Sequence, residues 1–365
     1  MFTTQALYHW KHAIANRFAF LSKPEGYLLA IFSVGVSLAR RCTLARVAET
    51  LWWLGKADSV ERRLQRFLAN PRIDWKEGCQ CLARWVLSSL ISTQRLVVLL
   101  VDETTLGEHL KVMAVSLAYQ GRAIPLAWWC YHQDHYPMRQ LKLIDTLLSW
   151  VAPALPPGCR VLVETDRGLS NSPGLLRRIQ QRGWFYLVRV QRALLVRGRD
   201  GREVPFGEVV WRPGQQWSGL VQAFKSAGWI DCWALAYWGK GHQQPWLLLT
   251  NYEPAQASWY GWRMWEELAF RDFKSMGWQW QKSRVWDPEH ANRLWLVLTL
   301  AYAWVLSLGT QGACIGQVRP ELTRGKKRRL SLFALGLRLL SRAKELFSKI
   351  AYAFDLIFII RAAAL

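Results

Sequence analysis

Residues 95–105 read Arg-Leu-Val-Val-Leu-Leu-Val-Asp-Glu-Thr-Thr and predict a buried strand that ends in an acidic residue,. The apolar run has the length of a strand and ends abruptly in Asp102, with Glu103 behind it. Continuous hydrophobicity is typical of a strand that is covered on both faces of a sheet. Ligand sites in layered sheets favour the carboxyl ends of strands, so Asp102 is a candidate site residue.

A second apolar stretch ends in the same way. Residues 159–171 read Cys-Arg-Val-Leu-Val-Glu-Thr-Asp-Arg-Gly-Leu-Ser-Asn, where a short strand stops at Asp166 before a turn at Gly168. An aspartate at the end of a strand is also a common turn former, and each aspartate alone has that structural explanation. Two such aspartates, followed by a helix that carries a carboxylate, are less readily explained as turns.

Residues 260–274, Tyr-Gly-Trp-Arg-Met-Trp-Glu-Glu-Leu-Ala-Phe-Arg-Asp-Phe-Lys, predict that helix. With Glu267 at 0° on a helical wheel, Tyr260 falls at about +20°, Arg263 at about −40° and Lys274 at about −20°. A carboxylate can hold a divalent metal, and the cations can hold phosphates. The structural alternative is a solvated face with helical ion pairs such as Arg263–Glu267. The opposite face is apolar and should pack on the core. It carries Trp262, Trp265, Leu268, Ala269, Phe273 and Met276.

The order Asp102, Asp166, Glu267 resembles the triad of the Asp-Asp-Glu transposases of insertion sequences. The helix is similar to the signature of one branch, the insertion-sequence family four, which reads Tyr, two residues, Arg, three residues, Glu, six residues, Lys. This chain has the same spacing without a departure. The segments Asp102-Glu-Thr and Asp166-Arg-Gly also look like the family's two other blocks. The resemblance spans roughly residues 40–345, although its informative motifs cover only a few dozen positions.

The resemblance implies an enzyme that cuts DNA at the ends of its own element and joins them to a target. Asp102, Asp166 and Glu267 would bind two Mg²⁺ ions, for which Mn²⁺ can substitute, and Asp102 would bridge them. The resemblance also implies cut-and-paste movement through a DNA hairpin intermediate. The expected partners are double-stranded DNA, as terminal inverted repeats and as target, and a second copy of the chain in a homodimer on paired ends. The expected location is the bacterial cytoplasm, in association with the nucleoid.

Three further residues of the helix have expected roles in DNA binding. Arg263 and Lys274 would hold phosphates beside the carboxylates, and Tyr260 would add a hydrogen bond. Two other classes of protein stay open. A metal-dependent nuclease of the same fold would cleave DNA without joining it. A non-catalytic DNA-binding regulator derived from a transposase would need no metal site, and the intact triad counts against it.

The charge balance of the chain favours a polyanionic partner. Lysine and arginine total 48 against 26 acidic residues, a net charge of +22,. Residues 1–100 and 291–365 carry +8 and +9 of this excess, whereas residues 101–190 and 191–290 carry +3 and +2. The pattern indicates DNA binding at the ends and chemistry in the middle, although basic ends can equally serve solubility or RNA binding.

The first 94 residues predict a helical DNA-binding domain. Two short helices, with Thr43 and Ser59 as N-caps, flank a turn at Gly55,. This pattern suits a helix-turn-helix, and an ordinary helical hairpin would give a similar one. The second helix carries the arginines expected to contact DNA, which are Arg62, Arg63 and Arg66.

The middle of the chain predicts a ribonuclease-H-like catalytic core of the α/β class. Three antiparallel strands, a helix, a strand, a helix, a strand and a carboxylate helix follow one another in the order of that fold, which the resemblance also predicts. The strands are expected at Leu96–Val101, Lys111–Tyr119, Ala123–Tyr131, in the stretch that runs into Asp166, and at Trp184–Val190, and the helices at Met138–Trp150 and Pro173–Arg182,. The segments are 95–190 (first part of the core), 191–250 (a small β-rich insertion), 251–310 (the glutamate helix and the next helix) and 311–365 (a basic helical C-terminal segment).

Six tryptophans of the insertion are expected to pack its small core, unless one of them stacks on an extruded base instead. They are Trp211, Trp217, Trp229, Trp233, Trp238 and Trp246. In the C-terminal segment, a basic cluster precedes an apolar helix at 330–340 and either neutralises phosphates or is simply solvated. The cluster comprises Arg319, Arg324, Lys326, Lys327, Arg328 and Arg329.

The apolar run Leu294–Gly309 is shorter than the ~20 residues of a bilayer span, so a buried core helix and no membrane partner are expected. Seven cysteines are scattered along the chain, and Cys79 and Cys81 form the one close pair. Without a second pair or a histidine cluster, reduced thiols are expected rather than a zinc site.

Overall fold

The computed structural model describes residues 4–91, 96–169, 172–314, 330–350 and 358–359. Ten α-helices lie in these residues: α1 Thr4–Arg17, α2 Lys23–Ala39, α3 Leu44–Thr50, α4 Ala57–Ala69, α5 Trp75–Ser88, α6 Gln140–Val151, α7 Pro173–Gln181, α8 Arg263–Arg271, α9 Pro288–Cys314 and α10 Leu332–Ile350. The same residues hold twelve strands: β1 Leu90–Ile91, β2 Leu96–Leu106, β3 Leu110–Tyr119, β4 Arg122–His132, β5 Arg160–Thr165, β6 Phe185–Arg189, β7 Leu195–Arg197, β8 Glu203–Pro205, β9 Gln216–Ala223, β10 Ile230–Tyr237, β11 Trp246–Thr250 and β12 Phe358–Ile359.

Ten of the strands form one sheet, in the order β4-β3-β2-β5-β6-β11-β10-β9-β7-β8. Strands β2, β5 and β6 are parallel to one another, and the other neighbours in the sheet pair antiparallel. Helices cover both sides of the sheet. The protein is therefore a mixed α/β protein with a large, mostly antiparallel sheet, and the strands and helices predicted for residues 96–190 are confirmed with small shifts at their ends.

The largest of these shifts concerns β2, which does not end before Asp102. It continues to Leu106, because its last residues pair with the start of β3 in a hairpin, with Asp102 opposite Ala114. The parallel pairing of β2 with β5 does stop, at Val101 opposite Thr165. Asp102 thus lies inside a strand, at the point where β2 loses its neighbour on one side.

The N-terminal region is helical, as predicted. Thr43 is the N-cap of α3, in an extended conformation. Ser59 is not an N-cap, because α4 begins three residues earlier than predicted: Lys56 is extended and its carbonyl accepts the first helical hydrogen bonds from Ser59 and Val60. Helix α4 packs through an apolar stripe against α3 and α9, formed by Val60, Leu64, Phe67 and Leu68.

The predicted insertion is β-rich, but its strands extend the main sheet. Strand β11 pairs with β6 at Leu248 opposite Arg189, and β10 and β9 follow. The expectation that tryptophans fill a small core here is only partly met: Trp238 and Trp246 are half-buried and pack against the core, whereas Trp211 and Trp217 are 71% and 39% exposed. Aliphatic and phenylalanine side chains are buried in their place, among them Val196, Phe206, Val221, Phe224 and Leu235.

Helix α9 is the buried core helix that the sequence predicts for Leu294–Gly309, and it continues to Cys314, past the expected segment boundary at 310. By length and composition it could cross a membrane, but its most apolar 18 residues are 94% buried inside the structure. Helices α2 and α3, which meet at an angle of 93°, would pass the same test if counted as one span. Helix α10 packs along α9, while the basic cluster at 319–329 lies outside the described residues.

Candidate active site

Asp102 is brought to the site by β2. Its residue is 7% exposed, and its Oδ1 accepts a hydrogen bond from the backbone N–H of Glu103 at 2.9 Å. Side chains alternate along a strand, so Glu103 points to the other face of the sheet. There Glu103 accepts hydrogen bonds from the hydroxyls of Tyr131 and Tyr136 and pairs with Lys111 at 3.2 Å. Glu103 is therefore engaged on the opposite face from Asp102.

Asp166 follows β5 directly. Because Val101 and Thr165 are partners in the parallel pairing, the next residues, Asp102 and Asp166, emerge side by side. The Oδ1 of Asp166 accepts a hydrogen bond from the N–H of Leu169 at 3.0 Å, so this residue also fixes the turn that follows. The turn-forming explanation and the site explanation thus both apply to Asp166.

Glu267 lies on α8, and Arg263 joins it to the two aspartates. The guanidinium of Arg263 forms an ion pair with Glu267 one helical turn away, which is the pair that the structural alternative expects. Its Nη2 also lies 3.6 Å from Oδ2 of Asp102 and 3.8 Å from Oδ2 of Asp166. A solvated helix face would not need these two contacts. Three carboxylates from three elements therefore converge on one guanidinium.

The electrostatics of this group are dominated by burial. The pKa of Asp102 is raised to about 6, mainly by burial and also by the charges of Asp166 and Glu267, while Arg263 lowers it. Burial opposes the charge of Arg263, but Asp102 and the other acidic neighbours outweigh it, so the pKa of the guanidinium is raised. Arg263 is therefore a permanent cation that the site's own acids hold in place.

A second layer of acids lies beneath these residues. Glu164 and Glu266 are fully buried, and burial raises the pKa of each carboxyl well above its usual range. Ser116 on β3 donates a hydrogen bond to Oε1 of Glu266 at 2.8 Å. Neither oxygen of Glu164 nor Oε2 of Glu266 has a hydrogen-bond partner among the described residues. Burial thus favours the neutral form of both acids, and Glu266 faces β3 rather than the open site,.

A cleft of about 500 Å³ opens over Asp166 and Glu267. We call it the carboxylate cleft; it is lined by Asp166, Arg167, Gly168, Arg189, Trp246, Tyr260, Arg263, Met264 and Glu267. Tyr260 is buried, burial raises its pKa, and its ring meets that of Trp246 edge-on at 5.4 Å. No sequence pattern singles out Arg189 or Trp246 for this site. Arg189 ends β6 and Trp246 begins β11, and because these two strands are antiparallel, both residues lie at the same edge of the sheet.

Lys274 lies just after the C-terminal end of α8, and its side chain extends to β2. Its Nζ donates a hydrogen bond to Oγ1 of Thr104 at 2.7 Å, two residues beyond Asp102 on β2. Burial lowers the pKa of Lys274. The predicted single helix is in fact three consecutive parts, a 3₁₀ segment Ala257–Trp262, α8 and a π-helical turn Asp272–Met276.

The predicted apolar face is only partly confirmed. Trp262, Ala269 and Phe273 are buried, whereas Met276 is 66% exposed. The π-helical turn rotates residues after Asp272 relative to an ideal α-helix, which is why the wheel misplaces Met276.

The proposed N-terminal contacts lie on α4. Arg62 and Arg66 are exposed and Arg63 is half-buried, so all three arginines are available at the surface opposite the buried stripe of this helix. The structure does not bring them into the carboxylate cleft.

The donor set suits a divalent cation, since carboxylate oxygens are the ligands that Mg²⁺ prefers. In the described part of the chain, no group of three or more Asp, Glu, His or Cys side chains is arranged to hold a metal as it stands. A positive charge nevertheless occupies the point where Asp102, Asp166 and Glu267 converge, and it is that of Arg263. The carboxylates therefore fit a metal in charge and donor type, provided that the guanidinium gives way.

Comparisons of this chain with protein-family models and with curated proteins found no match.

Proposed function

We propose that the protein is a DNA transposase of the Asp-Asp-Glu type, which cuts the ends of an insertion sequence and joins them to target DNA. The observation that carries the proposal is the convergence of Asp102, Asp166 and Glu267 on Arg263. These residues come from two parallel neighbouring strands and a helix more than 90 residues further along the chain. Their convergence is what a shared catalytic role requires, and it is unexpected for two turn formers and a surface ion pair.

The topology supports a ribonuclease-H-like core. The first half of the sheet has the order β4-β3-β2-β5-β6, in which an antiparallel meander is followed by two parallel strands reached through α6 and α7. The glutamate helix comes next after the inserted strands. In this proposal α1–α5 form the DNA-binding domain, β7–β11 the insertion, and α10 belongs to the C-terminal segment.

Phosphoryl transfer at this site would use two Mg²⁺ ions, or Mn²⁺ in their place, which Asp102, Asp166 and Glu267 would hold. When bound, such ions activate the attacking water or 3′-hydroxyl and stabilise the leaving 3′-oxygen. Arg263 would then be free to pair with a phosphate, and Lys274 would hold another beside Thr104. Tyr260 would add a hydrogen bond from the wall of the carboxylate cleft.

The net charge of +22 supports DNA as the partner,. In the proposed assembly, two copies of the chain hold paired terminal repeats, Arg62, Arg63 and Arg66 contact the DNA, and the reaction passes through a hairpin intermediate. The bacterial cytoplasm, near the nucleoid, is the compartment that this activity implies.

The test is an in vitro reaction of the purified protein with DNA that carries the element's ends, in Mg²⁺, followed by capture of joined products in a plasmid. Asp102→Ala, Asp166→Ala and Glu267→Ala should each abolish nicking while retaining DNA binding, because each removes a carboxylate that holds the ions. Matched controls are Glu103→Ala, which changes the opposite face of β2, and Glu266→Gln, which changes the buried layer.

Three outcomes would change the proposal. Nicking without any joined product would favour a metal-dependent nuclease of the same fold. DNA binding without Mg²⁺-dependent nicking would favour a non-catalytic regulator. Normal cleavage by Glu267→Ala, together with loss of cleavage in Glu266→Gln, would show that the wrong glutamate has been assigned.

A further inference from the structure

The helix that carries Glu267 changes its winding at Asp272. The residues Asp272–Met276 form a π-helical turn, with i→i+5 spacing in place of i→i+4,. Such turns are rare, and they occur frequently at functional sites. Because the turn rotates the side chains that follow, the direction of Lys274 depends on whether this turn forms.

Asp272 is tied to two other elements of the fold. Its Oδ2 accepts a hydrogen bond from Nε of Arg122, at the start of β4, at 2.6 Å, and another from the hydroxyl of Tyr302, on α9, at 3.1 Å. The ion pair is nearly buried on both sides, and Tyr302 is fully buried. The next residue, Phe273, packs its ring against that of Tyr302 at 5.2 Å. The start of the turn is therefore fixed through its side chains.

The backbone of Asp272 is fixed as well. Its carbonyl accepts a hydrogen bond from the N–H of Trp278 at 2.9 Å, which closes the chain behind the turn. A Cβ at position 277 would lie 2.3 Å from this carbonyl and 2.8 Å from the ring of Phe333, so Gly277 is required for the close approach. The side chain and the backbone carbonyl of Asp272 thus both hold the π-helical turn in place.

The opposite side of the turn faces the site. Lys274 donates its hydrogen bond to Thr104, and Thr104 shares a face of β2 with Asp102 because the two residues are two positions apart,. The lysine is partly buried in this position, and burial lowers its pKa. Lys274 lies inside the π-helical turn, so the position of this turn sets where its side chain starts.

We infer that Asp272 is a positioning residue: held by Arg122 and Tyr302, it sets the π-helical turn and so directs Lys274 to Thr104, beside Asp102. The placement of Lys274 follows from the structure alone, whereas its use in holding a phosphate rests on the proposed function. Asp272 lies in no part of the carboxylate cleft and touches no substrate in this role. It acts through Lys274.

The direct test is the titration of Lys274 by NMR, in protein labelled with ¹³C at lysine Cε. The resonance is assigned by its loss in Lys274→Arg. In the native chain the midpoint should lie below that of the exposed lysines, and in Asp272→Asn it should return to their range because Lys274 leaves its buried position. Arg122→Gln should have the same effect, and Tyr302→Phe, which removes one hydrogen bond, an intermediate one. Asp145→Asn is the matched control, since it removes the acid of another ion pair, with Arg178 and Arg182, and should leave the midpoint unchanged.

A kinetic measurement separates positioning from general loss of stability. Asp272→Asn should lower kcat for DNA nicking about 10- to 100-fold with little change in KM. If it acts through Lys274, the double variant with Lys274→Ala should be no slower than Lys274→Ala alone. Additive losses would overturn the inference.

The inference is also overturned if the titration midpoint of Lys274 is unchanged in Asp272→Asn and in Tyr302→Phe. Should Asp272→Asn fail to fold, the milder Tyr302→Phe decides the question by itself. The titration needs neither DNA nor metal, so a negative result leaves the proposed function intact. Conversely, a wild-type protein that cuts no DNA would refute the proposed function without changing the titration result.

Discussion

Arg263 places its guanidinium 3.6 Å from the carboxylate of Asp102, and this contact is the strongest lowering influence on an acid whose burial raises its pKa. The same guanidinium reaches Asp166 and Glu267. Without metal, Arg263 is therefore the cation that offsets the mutual repulsion of three carboxylates. A divalent ion has to compete with a residue of the protein itself.

Replacement of Arg263 by glutamine should consequently tighten the binding of Mn²⁺ or Mg²⁺, because the internal competitor is removed. The same change should destabilise the metal-free protein by about 2–3 kcal/mol, since Asp102 is left as a buried acid without its partner. Calorimetric titration with Mn²⁺ and thermal unfolding with and without metal measure the two effects. Arg271→Gln, on the exposed side of the same helix, should change neither. Weaker metal binding by Arg263→Gln would contradict the competition.

The raised pKa of Asp102 predicts a pH-dependent stability of the metal-free protein. The unfolded carboxyl titrates near 3.8 and the folded one at about 6, so the folded state binds the proton more tightly. The resulting stabilisation is fully present below about pH 4 and is lost as the pH rises through 6, on the order of 2–3 kcal/mol. Denaturant unfolding of the wild type and of Asp102→Asn between pH 4 and 7 checks this. The difference between the two proteins should grow in favour of the asparagine variant as the pH rises, and a constant difference would show that Asp102 does not titrate there.

Glu164 should be a destabilising residue. Its carboxyl is fully buried without a hydrogen-bond partner among the described residues, and burial raises its pKa well above the usual range. Glu164→Gln keeps the volume and removes the cost of protonating the acid, so it should stabilise the protein at pH 7 by about 1–3 kcal/mol and much less at pH 4. Chemical unfolding at the two pH values measures the effect, with the exposed Glu253→Gln as control. Destabilisation at pH 7 would mean that the ionised carboxylate has a stabilising contact.

The arginines of α4 should govern the salt dependence of DNA binding. Neutralising Arg62, Arg63 and Arg66 together should weaken binding and flatten the slope of log affinity against log salt, by up to about 0.9 for each phosphate that the variant no longer neutralises. A salt titration of terminal DNA binding gives the slope, and thermal unfolding shows whether the variant is folded. An unchanged slope in a folded variant would remove α4 from the DNA interface.

Parts of the site could be predicted because they depend on local pattern. An apolar run that ends in Asp166 is a strand followed by a turn, and a spacing of four residues brings Arg263 and Glu267 together on any α-helix. The prediction that β2 ends before Asp102 was wrong. A strand continues for as long as a neighbouring strand pairs with it, and β3 pairs with β2 as far as Leu106. The pairing that determines this lies elsewhere in the sequence.

Other parts could not be predicted, because they join residues far apart in the chain. Lys274 and Thr104 are separated by 170 positions, and Glu266 and Ser116, like Asp272 and Arg122, by 150. A helical wheel assumes the same winding at every residue. It therefore cannot show the π-helical turn that begins at Asp272. The prediction for the tryptophans of the insertion held only in part for a related reason, because their burial depends on how the inserted strands join the main sheet, and the sequence does not reveal that.

The continuous sheet has a mechanical consequence. Backbone hydrogen bonds run from strand to strand between β8 at one edge and β5, which leads into Asp166, with β6 and β11 between them. A sheet of this kind twists as one plate and resists shear between its strands. A force on the outer strands would therefore reach Asp166 as a change in the twist of the sheet,.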